Sequence, residues 1–100
     1  MIDQPAKTID PPAKTINVGV PSQLRGYTGG RAQVEAAGAT LGDVLADLDR
    51  QFPGFRFRVI DEQGRVRRHI ILFVGVERCE DLATVVAGQE VMIVGALSGG

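Results

Sequence analysis

Residues 37–54 read AGATLGDVLADLDRQFPG, and this stretch decides the fold because it contains the clearest helix pattern in the chain. Its large apolar residues recur at helical intervals and form one stripe, which comprises Leu41, Val44, Leu45, Leu48 and Phe52. The charged residues between them are expected to face water: Asp43, Asp47, Asp49 and Arg50. A helix with a single apolar stripe needs a second layer to cover it. The pattern therefore predicts a helix that packs on a sheet.

Both ends of this helix have sequence signals. Thr40 can cap the amino end, and Asp43 three residues later can complete a capping box. Pro53 and Gly54 are residues that stop a helix. The helix is therefore expected to begin directly after Thr40 and to end before Pro53.

Alternation of apolar and polar residues, the pattern of a half-buried strand, occurs on both sides of the helix. It predicts two strands at residues 15–20 and 32–37, paired as a hairpin through a long loop. After the helix, the same alternation predicts an edge strand over residues 55–59. Residues 67–76 are predicted as a long central strand because their middle is apolar at every position. A short final strand is expected at residues 91–94.

The segments between these strands are predicted as a turn near Gly64 and a connector with one helical turn over residues 81–86. The resulting order of elements is typical of an α+β roll, in which a mixed sheet of about four or five strands packs on one main helix. This is the β-grasp, or ubiquitin-like, arrangement.

The ordered domain is expected to span residues 15–94. Residues 1–14 contain two similar copies, IDQPAKT and IDPPAKT, whose prolines favour a flexible, extended arm. Residues 95–100 are expected to form a flexible tail that ends in Gly99 and Gly100.

Composition and charge exclude several classes of partner. The formal net charge is −1 and the isoelectric point is near 5.7, so no overall field attracts the chain to nucleic acid or to an anionic membrane. The first residues lack a secretory signal pattern, and no apolar run is long enough to cross a bilayer. The single cysteine favours a reducing cytoplasm.

Several segments together resemble the MoaD/ThiS-type ubiquitin-like sulfur-carrier family. These are PSQLRGYTGG after the first strand, the helix itself, IILFVGVE as the long strand, AGQEVMIV before the tail, and the final Gly-Gly. The pattern of Leu24 and Arg25 followed by residues 28–30 is most similar to the cysteine-biosynthesis (CysO) branch. The resemblance covers residues 15–100.

The resemblance implies a carrier that is not itself an enzyme and binds no cofactor or metal. An E1-like adenylyltransferase of the ThiF/MoeB type would use ATP to adenylate the carboxylate of Gly100, and sulfur would then replace AMP to give a thiocarboxylate. A cysteine synthase dependent on pyridoxal phosphate would accept the sulfur, and a JAMM-type metalloprotease is a further partner of such carriers. The alternatives are the molybdopterin-synthase large subunit as acceptor, thiamin or tRNA thiolation, and a modifier joined to lysines through Gly100.

The Gly-Gly end suits a reaction inside another protein, because glycine has no Cβ and the backbone at Gly99 and Gly100 can pass through a narrow channel. Six residues from Gly95 reach at most about 20 Å. An interaction module whose Gly-Gly end has no chemistry remains the third alternative.

Two further groups are candidate contacts with partners. The apolar group comprises Phe73, Met92, Val94 and Leu97, and the sequence leaves open which of them face the helix. The basic group comprises Arg65, Arg67, Arg68 and His69, with Arg56 and Arg58 nearby, and it is either a solvated face or a surface for an acidic partner. Cys79 is interpreted as an inert thiol, and His69 lacks the neighbours of a metal site.

Overall fold

The computed structural model describes residues 15–96; residues 1–14 and 97–100 lie outside that range. Its strands are β1 (Thr15–Gly19), β2 (Gln33–Ala37), β3 (Ile70–Val74), β4 (Glu77–Arg78) and β5 (Val91–Gly95). Its helices are α1 (Leu41–Gln51), α2 (Phe55–Val59) and a short 3₁₀ turn at Ser22–Leu24. In this part of the chain, no helix has the length and apolar character needed to cross a membrane.

The five strands form one mixed sheet in the order β2-β1-β5-β3-β4. The first hairpin pairs β1 with β2 in antiparallel fashion, as predicted. Strand β5 lies parallel to β1, with Val18 opposite Val91, and antiparallel to β3, with Phe73 opposite Met92. The last strand therefore enters the centre of the sheet, and the predicted β-grasp architecture is confirmed.

Helix α1 covers one face of this sheet. Its capping box is complete, because the Asp43 amide N–H donates to Thr40 Oγ1 at 3.2 Å and the Thr40 amide N–H donates to Asp43 Oδ2 at 3.3 Å. Four of the five predicted stripe residues are fully buried, namely Leu41, Val44, Leu45 and Leu48. The helix pattern thus predicted both the element and the face that builds the core.

Asp47 was expected to face water, and that expectation is wrong. Its side chain is 17% exposed, and its Oδ2 accepts the amide N–H of Ala37 at 3.0 Å. Gln51 donates to the carbonyl of Glu35 at 2.9 Å. These two contacts join α1 to the outer edge of β2, so the charged side of the helix also holds the sheet.

Residues 55–59 form a short helix, so the predicted edge strand is wrong. Phe55 and Val59 are four positions apart and both are fully buried, whereas Phe57 is 48% exposed. Asp49 Oδ1 accepts the amide N–H groups of Gly54 and Arg56 at 3.1 Å each, which satisfies donors at the start of the helix. The sequence alternation fits a strand locally, but these tertiary contacts select the helix.

The long strand is shorter than the predicted range of residues 67–76. It ends at Val74 because Gly75 has φ +62° and turns the chain into β4, a strand that the sequence did not predict.

The helical turn predicted over residues 81–86 is also wrong. The carbonyls of Leu82 and Thr84 accept the amide N–H groups of Gly42 and Leu41 at 2.8 and 2.9 Å. The connector therefore consists of turns, and its carbonyl groups accept hydrogen bonds from the free amide N–H groups at the start of α1.

Candidate functional site

Gly95 and Ala96, which were expected to begin the tail, are paired with β3. Strand β5 continues through Gly95, which lies opposite Ile70, and the amide N–H of Ala96 donates to the carbonyl of His69 at 2.9 Å. Gly95 and Ala96 therefore belong to the ordered body, and the predicted boundary after Val94 is corrected. The chain leaves this body from the end of a central strand.

Three of the predicted site residues, Leu97, Gly99 and Gly100, lie outside the described residues, so their roles stay predictions. The structure does fix the point from which they continue. Ala96 lies at the end of β5 and next to β3. We call this point the root of the tail.

An apolar patch lies on the face of the sheet that α1 does not cover. Ile70, Leu72 and Val74 are buried in the core, so the alternate positions of β3 point to the opposite face. There Ile71 lies opposite Val94 and Phe73 lies opposite Met92. We call these four residues, Ile71, Phe73, Met92 and Val94, the outer patch. Phe73, Met92 and Val94 thus lie on one face of the sheet, a point that the sequence left open, and their contact with a partner stays a prediction.

The outer patch continues toward the root of the tail. Met92 is 45% exposed and lies beside Gly19 of β1, where an added Cβ would be 3.4 Å from Met92 Cγ. Beyond Gly19, Pro21 and the 3₁₀ turn direct the chain away from β5 and leave an open groove of about 480 Å³. Its lining includes residues 92–95, so apolar surface borders the root of the tail.

The predicted basic group is divided by the fold. Arg67 Nε–H donates to the carbonyl of Phe57 at 2.8 Å, and the guanidinium of Arg67 lies 4.7 Å from the centre of the Phe57 ring. Arg68 is exposed and does not line the same pocket. Instead, Arg67 lines a pocket of about 440 Å³ together with Arg58 and His69. Arg67 and Arg68 therefore do not form one site.

Asp61 lies near this basic region but belongs to a turn. Its carboxylate accepts the amide N–H groups of Arg65 and Gln63 at 2.9 Å each. The bond from Arg65 is the main cause that lowers the pKa of Asp61, and the positive charges of Arg67 and Arg65 lower it further. The carboxylate stays charged at neutral pH and fixes the predicted turn near Gly64, which has φ +79°.

The remaining polar candidates are the Cys79 thiol and possible metal ligands. The Cys79 thiol donates to Thr84 Oγ1 at 3.0 Å and is half-buried in the connector. Across residues 15–96, no group of three or more His, Cys, Asp and Glu side chains is placed to hold a metal ion.

Comparison with known proteins connects this arrangement with a family. The chain is 36% identical over 91 residues to the sulfur carrier protein CysO of Mycobacterium tuberculosis, and the match covers 85% of this chain and 98% of that protein. The chain belongs to the CysO family of sulfur-carrier proteins. No protein-family profile matches the chain.

Solved structures agree with this assignment to the CysO family. The M. tuberculosis CysO crystal structure has a TM-score of 0.77 at 35% identity, over 82% of this chain and 99% of that one. CysO in the BexX/CysO complex of Amycolatopsis orientalis has a TM-score of 0.77 at 31% identity, over 85% and 99% of the two chains. SAMP1 of Haloferax volcanii has a TM-score of 0.71 at 25% identity, over 87% and 100%.

The sequence did not predict how the loop after the first strand is held in this member of the CysO family. Thr28 is buried, and its hydroxyl donates to the carbonyl of Arg31 at 2.9 Å. This contact holds the loop in which Tyr27 meets the edge of Phe55, with ring centres 6.4 Å apart. The motif LRGYTGG was recognised as a family signal, but its structural role depends on contacts with α2.

Proposed function

We propose that this chain carries sulfur as a thiocarboxylate on Gly100 and donates it in the biosynthesis of cysteine. The observation that supports this proposal most strongly is the 36% identity to CysO over 98% of the length of that sulfur carrier protein. Family membership suggests a sulfur carrier, and the thiocarboxylate chemistry is our inference. The chain acts as a substrate of other enzymes and binds no cofactor itself.

The position of the root of the tail supports this role. The four residues that follow Ala96 reach at most about 14 Å when extended. This length suits insertion into the active site of a second protein, since Gly99 and Gly100 add no side chain to the width of the backbone. Pairing of Gly95 with Ile70 and the bond from the Ala96 amide to the His69 carbonyl hold the starting point of the tail against β3.

The first partner in this proposal is an E1-like adenylyltransferase that uses ATP to activate Gly100. The outer patch suits contact with this enzyme because it is apolar and lies beside the root of the tail. The BexX/CysO complex of A. orientalis shows that a related carrier binds another protein. The acceptor we propose is a cysteine synthase dependent on pyridoxal phosphate.

Intact-mass spectrometry tests the proposal. The full chain is incubated with ATP, a sulfide donor and the adenylyltransferase from the same source, and its mass is compared with that of a sample without ATP. We expect the mass increase that accompanies replacement of one oxygen by one sulfur. An unchanged mass under conditions in which the adenylyltransferase loads a known carrier would contradict the proposal.

Variants at the end of the tail provide the control. Deletion of Gly100, or Gly100→Ala, should abolish loading because either change displaces or widens the reacting end. The melting temperature should stay the same, since the change lies beyond the last residue of β5. Loading of these variants at the rate of the unchanged chain would contradict chemistry at Gly100.

A protein modifier is the second candidate, and the similarity to SAMP1, a small archaeal modifier protein, favours it. Such a modifier uses the same activated carboxylate but transfers it to a lysine of another protein. The mass experiment separates the two roles, because conjugates are heavier by the whole chain. Conjugates that form without sulfur exchange would favour the modifier.

A further inference from the structure

The pocket that contains Arg58 and Arg67 is a second surface beside the root of the tail. Its volume is about 440 Å³, and it is lined by Gln23, Leu24, Arg58, Arg67, His69 and Ile70. Ile70 points toward the core, so the pocket opens on the helix side of the sheet, opposite the outer patch. Gln23 lines both this pocket and the groove that borders the outer patch.

Arg67 is held in one orientation by the protein itself. Its Nε–H bond to the carbonyl of Phe57 and its stacking on the Phe57 ring fix the plane of the guanidinium. The two terminal nitrogens make no hydrogen bond to the described residues. A fixed guanidinium with free terminal donors is well suited to bind a carboxylate, because little side-chain freedom remains to be lost.

The guanidinium of Arg58 also lies over an aromatic ring. Its guanidinium lies 5.7 Å from the centre of the Tyr27 ring, and Tyr27 is itself held against Phe55. The ion pairs found within residues 15–96 are Arg50–Asp47 and Arg78–Glu80, so neither pocket arginine is paired there. Two guanidinium groups thus line one pocket, and Asp61 is the described carboxylate whose charge interacts with that of Arg67.

The location of the pocket indicates what occupies it. His69 lines the pocket, and its carbonyl accepts the amide N–H of Ala96 at the root of the tail. A protein that encloses the tail must therefore come close to Arg58 and Arg67. Nucleic acid fits less well, because the guanidinium groups already cover faces of Phe57 and Tyr27 on which a base would stack.

We propose that this pocket binds the carboxylates of an acidic segment on the protein that takes up the tail. This inference rests on the proposed carrier function. The outer patch and the pocket lie on opposite sides of the root, so a partner that contacts both holds the tail between an apolar and a charged contact. Charge complementarity at such a site mainly raises the association rate and selects the partner.

Association kinetics test the proposal with the adenylyltransferase used in the mass experiment. The double variant Arg58→Glu/Arg67→Glu is compared with the unchanged chain at low and high salt. We expect the association rate constant to fall about tenfold or more at low salt and the difference to shrink at high salt. Given enough time, the double variant should still be loaded completely, because Gly100 is unchanged.

Two further variants make the result specific. Arg68→Glu reverses one charge, compared with two in the double variant, at an exposed arginine outside the pocket, and its effect should stay within about twofold. Arg58→Gln/Arg67→Gln should give an intermediate loss, and melting curves confirm that each variant is folded. If the double charge reversal associates as fast as Arg68→Glu does, the inference is wrong.

A second readout needs no adenylyltransferase, so it is independent of the proposed function. The ¹⁵N-labelled chain is titrated with a tetraglutamate peptide and, separately, with inorganic phosphate, and the arginine Nε–H signals are followed by NMR. We expect the peptide to shift the signals of Arg58 and Arg67 more than that of Arg68. Equal shifts at all three arginines, or a response to phosphate alone, would overturn the inference.

Discussion

Strand β3 contains five consecutive apolar residues, and its two faces have different surroundings. Ile70, Leu72 and Val74 point toward α1 and are buried, with exposures between 0% and 5%. Ile71 and Phe73 point the other way and are only half-buried. The helix side therefore forms the buried core, and the outer patch is apolar surface that the fold leaves partly exposed. This difference suggests that the outer patch is kept for a partner.

The largest effect is expected on the helix side. Leu72→Ala removes a fully buried side chain and should lower the free energy of unfolding by about 2–5 kcal/mol, through lost burial and the cavity that remains. Urea unfolding measures this change. Ile71→Ala, one position away on the outer face, should cost less than half as much. Equal losses at the two positions would remove the distinction between the faces.

A charge on the outer patch should affect binding more than folding. Phe73→Glu or Met92→Glu should weaken binding to the adenylyltransferase about tenfold or more, because an apolar contact is replaced by a buried carboxylate. The melting temperature should change little.

Val76→Glu is the matched control for these variants, since Val76 is 93% exposed in the turn between β3 and β4. It should leave binding unchanged, as isothermal calorimetry can show. If Phe73→Glu unfolds the chain, Phe73 belongs to the core instead.

The smallest effect is expected where α1 meets the edge of β2. Burial raises the pKa of Asp47, but the hydrogen bonds from the Ala37 amide, Arg50 and Gln51, with the charge of Arg50, outweigh it and lower the pKa. A lowered pKa stabilises the folded state above the unfolded-state value of about 3.9, and this stabilisation is lost as the pH falls through the folded-state pKa.

Asp47→Asn should therefore cost about 1 kcal/mol at neutral pH. Urea unfolding at neutral pH and at a pH well below the unfolded-state value measures the difference. The cost should disappear at the lower pH. A cost that stays the same at both values would show that the Asp47 charge does not contribute.

The sequence predicted most of the fold because the helix pattern and its caps are local. Thr40 and Asp43 are three residues apart, and the apolar stripe lies within a few turns, so no distant contact was needed. The edge strand predicted over residues 55–59 is wrong for the opposite reason. Their helical state depends on Asp49 and on burial of Phe55 against Tyr27, and neither contact is visible in the alternation of the segment.

The candidate site was predictable to a similar extent. The apolar residues Phe73, Met92 and Val94 could be named, but their common face depends on the register between β3 and β5. The sequence placed Arg58, Arg67 and His69 in one basic group, but the pocket that they line depends on the helix at residues 55–59, which was not predicted. Arg67 and Arg68 were grouped because they are adjacent in the sequence, but the fold places only Arg67 in the pocket.

The most direct test of the account is to locate the sulfur in the loaded chain. Tandem mass spectrometry of the chain after incubation with ATP, sulfide donor and adenylyltransferase assigns the added sulfur to a fragment. Cys79→Ser provides the control, because Cys79 is the one thiol in the sequence. We predict that the sulfur lies in the fragment that ends at Gly100 and that Cys79→Ser is loaded normally. Sulfur on the fragment that contains Cys79, and its loss in Cys79→Ser, would contradict the account.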